Sequence, residues 1–539
     1  IHNLQWLEFS FKYRTLRSIS INLCIKTEKN KSFIFKTHLS FSVIRSISNS
    51  VLNQGTIYSL SSGHGKCGVA VIRVSGPQTL NAVQQLSQAK SLPVPRKSHL
   101  MKFYNPVSLE AIDKGLLLWF PGPRSFTGED CAEFQVHGGL AVVMAMYEAL
   151  ATIPGLRTAE AGEFTKRAFM NNKLDLTEVD GLADLIHAET EAQRKQALRQ
   201  MDGDLSRLYM NWRKRLIKCA ANVEAYIDFS EDENIEHDVI DHETLKLCGE
   251  IESHLEDNRR GERLRSGVNV AIIGEPNVGK SSLLNILCER PAAIVSPIAG
   301  TTRDIVESAV NIGGYPVLLS DTAGLRIGQD EIEREGIRRA IQRAQQADIK
   351  VIVLDVTKFK FKTDLKMFIN QHLLELGITE KYSVSLQSDR NDNSNTPYTY
   401  DEPEIDLSRV LVVFNKIDLI NHEYMIKELS NNMLDFSVQV SCVTEDGVEQ
   451  FLDKLTNRII NLCGNPLAGN PSLTQARYRS HLHNCRQFLH SYFIQIKQQD
   501  IVLAAHQLNL ALREIGKITG KISTEEIIDV VFRDFCIGK

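Results

Sequence analysis

Val268–Ile273 is an apolar, β-branched run of the length of one buried strand, and the residues after it fix the fold around it. Gly274 is followed by Asn277, Val278, Gly279, Lys280, Ser281 and Ser282, the spacing of a phosphate-binding loop. Leu283, Leu284, Ile286 and Leu287 then open a helix. Glycines at these positions let successive N–H groups curl around anionic oxygens, and the helix start adds partial positive charge there. Lys280 neutralises β and γ phosphates, and the Ser281 hydroxyl is the expected first protein ligand of Mg²⁺.

Further nucleotide-binding segments follow in order. Thr301, Thr302, Arg303 and Asp304 lie where a mobile switch belongs, with Thr302 the second hydroxyl for Mg²⁺. Val317–Ser320 reads as a strand ending in Asp321-Thr322-Ala323-Gly324, with Asp321 near the metal and the Gly324 N–H near the γ-phosphate. Val351–Leu354 and Val410–Phe414 are further buried strands, the second running into Asn415-Lys416-Ile417-Asp418. A carboxylate at Asp418 accepts from guanine N1–H and its 2-amino group. Adenine offers neither donor, so the site discriminates against it by about 10⁴ or more. Ser441, Cys442 and Val443, after strand Val438–Val440, offer a backbone N–H to guanine O6. The base is therefore expected to be guanine.

The position directly after Asp-x-x-Gly is Leu325, where Ras-like GTPases carry a water-orienting Gln. Another polar group must place the water, and Glu333 in the acidic segment Asp330–Glu333 is the candidate. No Arg stands out as a finger, and a monovalent cation held by the Asn277 amide would replace one. The catalytic candidates in this domain are Lys280, Thr302, Arg303, Asp304 and Glu333. Residues 357–408 form a polar insertion expected to be partly disordered.

A chain of 539 residues holds about three or four such units. The net charge of −4 makes no overall electrostatic case for nucleic acid, so RNA contact needs a local basic patch. Ten cysteines without a Cys-x-x-Cys pair argue against a zinc or disulfide framework and for a reducing compartment. No apolar run approaches the ~20 residues of a membrane span, so a soluble protein is expected. Residues 1–50 are basic, Ser-rich and acid-poor, the composition of a mitochondrial transit segment.

Strands Thr56–Leu60, Val69–Val74, Leu116–Phe120 and Cys131–Val136, with helix Leu140–Leu150, make a small α/β unit over 51–171. From Leu198 through Ile227 apolar residues recur at three- and four-residue steps, which predicts one long amphipathic helix. Leu482 to Ile496 and Leu508 to Ile515 repeat the pattern, and Ser523 with Glu526 predicts a capping box for a last helix. Each stripe leaves an apolar face in water, so the two regions, 172–265 and 466–539, are expected to pack together around an inserted domain, 266–465.

The chain resembles the MnmE (TrmE) tRNA-modification GTPases, in their mitochondrial branch, over residues 51–539. The resemblance rests on Gly68–Gly76, Ser125–Asp130, Ala161–Phe169, Leu182–Thr190 and the ending Phe535-Cys536-Ile537-Gly538-Lys539. It implies a multidomain α/β plus all-α protein: an N-terminal folate-binding and dimerising domain, a helical bundle and an inserted Ras-like P-loop domain. It also implies a potassium-dependent GTPase whose G domains dimerise. With an FAD-dependent partner of the MnmG type, and a tetrahydrofolate derivative (5-formyl or 5,10-methylene), such a protein modifies C5 of the tRNA wobble uridine.

By position, Arg73, Glu133, Lys173 and Lys539 would contact the folate, and Cys536 would be the reactive tail residue. Asn277, the Ser296 and Ile298 carbonyls and Thr301 would hold potassium, and Glu333 would place the water. Two places depart from the family pattern: the turn Ser61–Cys67, and Cys442-Val443 in the guanine loop. Two other readings stand beside this one. A ribosome-assembly GTPase of the Era or EngA type needs a Gly-x-x-Gly loop between helix and strand. A stand-alone folate one-carbon transferase with a regulatory G domain would modify tRNA without the flavoprotein.

Overall fold

The computed structural model describes residues 55–89, 91–229, 237–289, 307–321, 342, 344–358, 407–420, 436–522, 531–532, 535 and 537–539, with the backbone alone of 7–15, 18–26 and 32–40. The chain forms two compact units, 1–173 with 532–539, and 174–531.

In the first unit β1 (Leu7–Thr15), β2 (Ser18–Lys26) and β3 (Ser32–Ser40) form an antiparallel meander. A six-stranded sheet follows, ordered β6-β7-β8-β5-β4-β9, from β4 (Thr56–Leu60), β5 (Cys67–Ser75), β6 (His99–Tyr104), β7 (Ala111–Phe120), β8 (Cys131–Gly138) and β9 (Leu156–Thr158). Strand alternation sorts its two faces. Ala70, Ile72, Val74, Phe134 and Val136 pack with Val83 and Leu86 of α1 (Thr79–Ser87) and Met146 and Leu150 of α2 (Leu140–Ala151). The intervening positions, Ile57 and Arg73 among them, lie on the other face, where Ile57 meets Phe164 of α3 (Glu163–Met170).

The last residues belong to this unit. Ile537 makes an antiparallel bridge to Ala161, and Ser61 Oγ donates to the Gly538 carbonyl at 2.8 Å. The Phe532 ring lies 6.1 Å from Phe169 and 6.1 Å from Phe535. The expected capping residues Ser523 and Glu526 lie outside the described residues.

The second unit opens with two capping boxes. Asp175 and Glu178 start α4 (Leu176–Ile186), and Thr190 and Gln193 start α5 (Glu191–Met201), each satisfying N–H groups that the first turn leaves without partners. The stripe expected to be one helix is two. Gly203 at φ +86° ends α5, and α6 runs from Asp204 to Phe229. A side chain at Gly203 would also meet Glu178 Oε1 at 2.9 Å. Leu198 and Ile227, counted in that stripe, are 37% exposed and stand outside the seam. α7 (His237–Leu255) and α8 (Arg260–Ser266) lead to the inserted domain.

There β10 (Val268–Ile273), β11 (Glu307–Ile312), β12 (Tyr315–Asp321), β13 (Ile349–Asp355), β14 (Val410–Asn415) and β15 (Ser437–Val440) form a sheet ordered β11-β12-β10-β13-β14-β15. All its pairs are parallel except β11 with β12. Its central strands are buried nearly throughout, as helices on both faces of a parallel sheet require. α9 (Lys280–Glu289) and α10 (Val448–Cys463) pack on one face through Leu283, Leu287, Phe451 and Leu455.

The chain then returns in α11 (Ala476–Lys497) and α12 (Ile501–Ile518), which share one core with α6 and α7: Tyr209, Trp212, Leu216, Ile251, Leu482, Leu489, Leu508 and Ile515. The two helical stretches therefore do pack together. Gly516 lies within α12, and Gly520 beyond its end precedes no described strand, so these glycines do not form the helix-to-strand loop of the ribosome-assembly reading. Arg263 of α8 hydrogen-bonds Asp348 at 2.7 Å, and Asp348 accepts from the Asn269 N–H at 3.1 Å, tying α8 to the start of β10.

Candidate functional site

Parallel strands place their C-terminal ends along one edge, and a strand order that reverses beside β10 opens a crevice there. Register puts Asp321 beside Ile272, and Asn415 beside both Asp355 and Val440. That edge collects the loop after β10, the end of β12, the Asn-Lys-x-Asp segment after β14 and the Ser441 loop after β15.

Lys280 is buried, and its ammonium donates to the Gly274 and Glu275 carbonyls at 2.9 and 2.8 Å, so it reaches back over the loop. Ser281 and Ser282 are exposed in the first turn of α9. Asn277 takes the left-handed conformation, φ +65°, at the exposed crest. Gly279 has φ +101°, and an added Cβ would lie 2.1 Å from Asn415 Nδ2. Asn415 itself is buried. Its Nδ2 donates to the Val278 carbonyl at 2.8 Å, and its Oδ1 accepts from the Cys442 N–H at 3.1 Å. One amide thus ties the phosphate loop to the guanine loop.

Asp418 is exposed, and Ser441 Oγ donates to its Oδ1 at 2.6 Å. The same hydroxyl accepts from the N–H groups of Val443 and Thr444 at 3.2 and 3.1 Å. Burial, with the Asp418 charge adding, pushes the Cys442 thiol up to about 11 against its hydrogen bond with Asn415, so it stays neutral beside the base site. The Cys442-Val443 departure leaves these backbone contacts in place. Lys416 Nζ donates to Asp355 Oδ2 at 2.7 Å. Ser296, Ile298, Thr301, Thr302, Arg303, Asp304, Thr322, Ala323, Gly324, Glu333 and Cys536 lie outside the described residues, as does 359–406 of the insertion.

In the first unit Arg73 and Glu133 are cross-strand partners, and the guanidinium donates to Glu133 Oε1 from Nε at 3.2 Å and from Nη2 at 3.0 Å. The Arg73 cation also lies 5.2 Å from the Phe126 ring centre and 5.7 Å from that of Phe164. The expected folate cation and carboxylate are therefore brought together, paired to each other and walled by aromatics. Lys173 Nζ donates to the Pro123 carbonyl at 3.0 Å, in the loop that also carries Phe126. Lys539 is half-buried at the end of the tail.

Sequence reasoning missed Asp355, which no motif contains. It also missed a group of potential metal ligands, Cys248, Glu252 and His490, whose ligand atoms lie within 4.8 Å of one another. Helix spacing between Cys248 and Glu252 could have hinted at it, but His490 comes from another helix. His490 and Glu252 already pair at 3.1 Å, and burial pushes the Cys248 thiol up to about 11, so the group reads as an interhelical hydrogen bond beside a neutral thiol.

A phosphate loop clamped by the Asn of an Asn-Lys-x-Asp segment on a parallel sheet defines a P-loop GTPase. The family described as "GTP-binding protein TrmE N-terminus" matches residues 56–173, and that described as "MnmE helical domain" matches 176–536. The 5-taurinomethyluridine-[tRNA] synthase subunit GTPB3, mitochondrial, of Danio rerio is 51% identical over 493 residues, covering 90% of this chain and 93% of its own. Its Homo sapiens counterpart is 47% identical over 489 residues, covering 90% and 93%. The tRNA modification GTPase MnmE of Parvibaculum lavamentivorans is 44% identical over 490 residues, covering 90% and 100%. The chain belongs to the MnmE/TrmE family of tRNA-modification GTPases.

Proposed function

We infer that this chain is the GTP-hydrolysing subunit of a mitochondrial complex that modifies C5 of the tRNA wobble uridine, with a taurinomethyl or carboxymethylaminomethyl product. The carrying observation is the Asn415 clamp between phosphate and guanine loops, in a chain that covers 93% of a relative named as a mitochondrial taurinomethyluridine synthase subunit. tRNA is the macromolecular substrate, an FAD-dependent MnmG-type protein the partner, and a homodimer the working state.

Ser281, exposed on the first turn of α9, fits a Mg²⁺ ligand open to nucleotide, with Thr302 as the second. Asn277 stands at the loop crest and would share potassium with Ser296, Ile298 and Thr301, which supplies positive charge between phosphates without an arginine finger. Glu333 would orient the attacking water in place of the missing Gln, with Arg303 and Asp304 in the separate switch that carries Thr302. The paired Arg73 and Glu133 beside Phe126 fit a ligand with an acidic tail and a flat, donor-rich ring, which is a tetrahydrofolate. Lys173 and Lys539 are further cations for it. When bound, that cofactor would supply a one-carbon unit, and Cys536 would be the reactive tail residue.

Two measurements test this reading. GTP turnover by the purified chain should slow sharply when potassium is replaced by sodium, and equal rates would remove the cation role of Asn277. Nucleoside mass spectrometry of mitochondrial tRNA should show loss of the C5 group when the protein is absent. An unchanged wobble uridine would remove the substrate assignment while leaving the GTPase intact.

A further inference from the structure

We propose that Asp355 is a positioning residue for guanine recognition, acting through Lys416 of the Asn-Lys-x-Asp segment. Each charged or amide member of that segment is held by a group from another loop. Asn415 is held by Val278 and Cys442, and Asp418 by Ser441. Lys416 is held by Asp355 Oδ2 at 2.7 Å, from the end of the neighbouring strand β13.

The geometry is built to orient. Asp355 is 8% exposed, and its second oxygen accepts from both the Thr357 N–H at 3.0 Å and the Thr357 hydroxyl at 2.7 Å. The carboxylate therefore cannot swing, and it fixes where the Lys416 ammonium sits. Lys416 in turn takes a left-handed backbone, φ +70° and ψ 35°, that no β-carbon favours. That residue turns the chain out of β14 into the short 3₁₀ turn Ile417–Leu419, which carries Asp418 to its Ser441 partner. Anchoring the lysine head offsets the strain in the residue that aims Asp418.

Burial raises the Asp355 pKa, yet the hydrogen bonds from Lys416 and Thr357 hold the carboxyl below the usual carboxylate range, so the anchor stays charged through the neutral range. A partly exposed ion pair adds little to folding stability. The Lys416 side chain is 30% exposed, so the pair's use lies in geometry more than in holding the domain together.

The test is Asp355→Asn in the full chain, which keeps an oxygen for Thr357 but turns an amide on Lys416. GDP affinity should fall about tenfold, the worth of one charge-assisted hydrogen bond. KM for GTP should rise while kcat at saturation holds. The preference for GDP over IDP, which lacks the 2-amino group that Asp418 receives, should shrink, and Asp355→Glu should restore part of it. Unchanged GDP affinity would overturn the proposal. So would an equal loss for GDP and IDP accompanied by a lower Tm, since that marks a merely structural pair. Thr357→Val, which removes one donor without touching Lys416, should give a smaller change in the same direction, and it decides the matter if Asp355→Asn does not fold.

Discussion

At Gly279 the backbone has φ +101°, and a Cβ would press on the Asn415 amide that joins two loops. Gly279→Ala therefore adds backbone strain and breaks the clamp, together about 3 kcal/mol, or roughly a hundredfold in GDP affinity by fluorescence titration. Wild-type affinity would mean the loop relaxes without cost. On the proposed function, Asp418 would meet guanine with a carboxylate that two donors of the base match. In Asp418→Asn one of those contacts becomes donor against donor, so GTP turnover should fall by about a hundredfold or more while xanthosine triphosphate, with an oxygen at C2, becomes a substrate. At this scale much was legible, because phosphate and guanine chemistry each require a fixed residue at a fixed spacing. Asp355 was not. Its role depends on β13 lying beside β14, and a pairing between strands separated by a long insertion leaves no local pattern.

The helices show where periodicity stops being informative. The apolar steps from Leu198 to Ile227 continue across Gly203, so the stripe gave no sign of the break that its left-handed backbone makes. Buried charge is equally silent in sequence. Asp180 on α4 is buried and accepts from Arg477 and from the Tyr478 hydroxyl on α11. Burial pushes its pKa up to about 6 from 3.8, against the pull of Arg477 and Tyr478. The folded state then keeps a proton that the unfolded chain has released, so this stabilising contribution is full below about 3.8 and is lost as pH rises through about 6. His254, packed against Tyr209 and Trp212, works the other way. Burial lowers its pKa from 6.5 to about 4, so stability is lost as pH falls across that range. Asp180→Asn removes only the first effect. Its stability should climb more steeply than the parent's between pH 4 and 6.5 in urea unfolding followed by tryptophan fluorescence. The gap between the two proteins should narrow by up to about 3 kcal/mol with rising pH. A constant gap would show that Asp180 titrates alike in both states. Near neutrality the variant should still lie below the parent, because the Arg477 guanidinium then keeps its charge beside a neutral amide in place of a carboxylate.

Across the whole molecule the proposed function divides its chemistry between two units, and the division can be tested by breaking each where the other is untouched. The candidate nucleotide site, 274–281, 415–418 and 441–443, lies wholly in the second unit. The tail is seated in the first, through the bridge from Ile537 to Ala161 and the Ser61 bond to Gly538. The inserted order of the helical and nucleotide domains was readable because two amphipathic stripes required each other. The seat of the tail was not, since Ala161 and Ile537 lie far apart in sequence and neither carries a binding pattern. Gly538 is the point to break. Its φ is +97°, and a Cβ there would stand 2.0 Å from the Leu60 carbonyl oxygen, so no side chain fits while the tail stays seated. Gly538→Val should unseat the last residues, Ile537 and Lys539 among them. GDP affinity and GTP turnover should remain at parental values, while the wobble-uridine product, read by nucleoside mass spectrometry in a complemented null line, should disappear. Lys280→Ala should lose both, because a phosphate loop without its lysine leaves the β and γ charges uncompensated. If Gly538→Val supports full modification, the tail takes no part in the transfer chemistry. If it loses GTP turnover as well, the two units are coupled more tightly than their separate cores require.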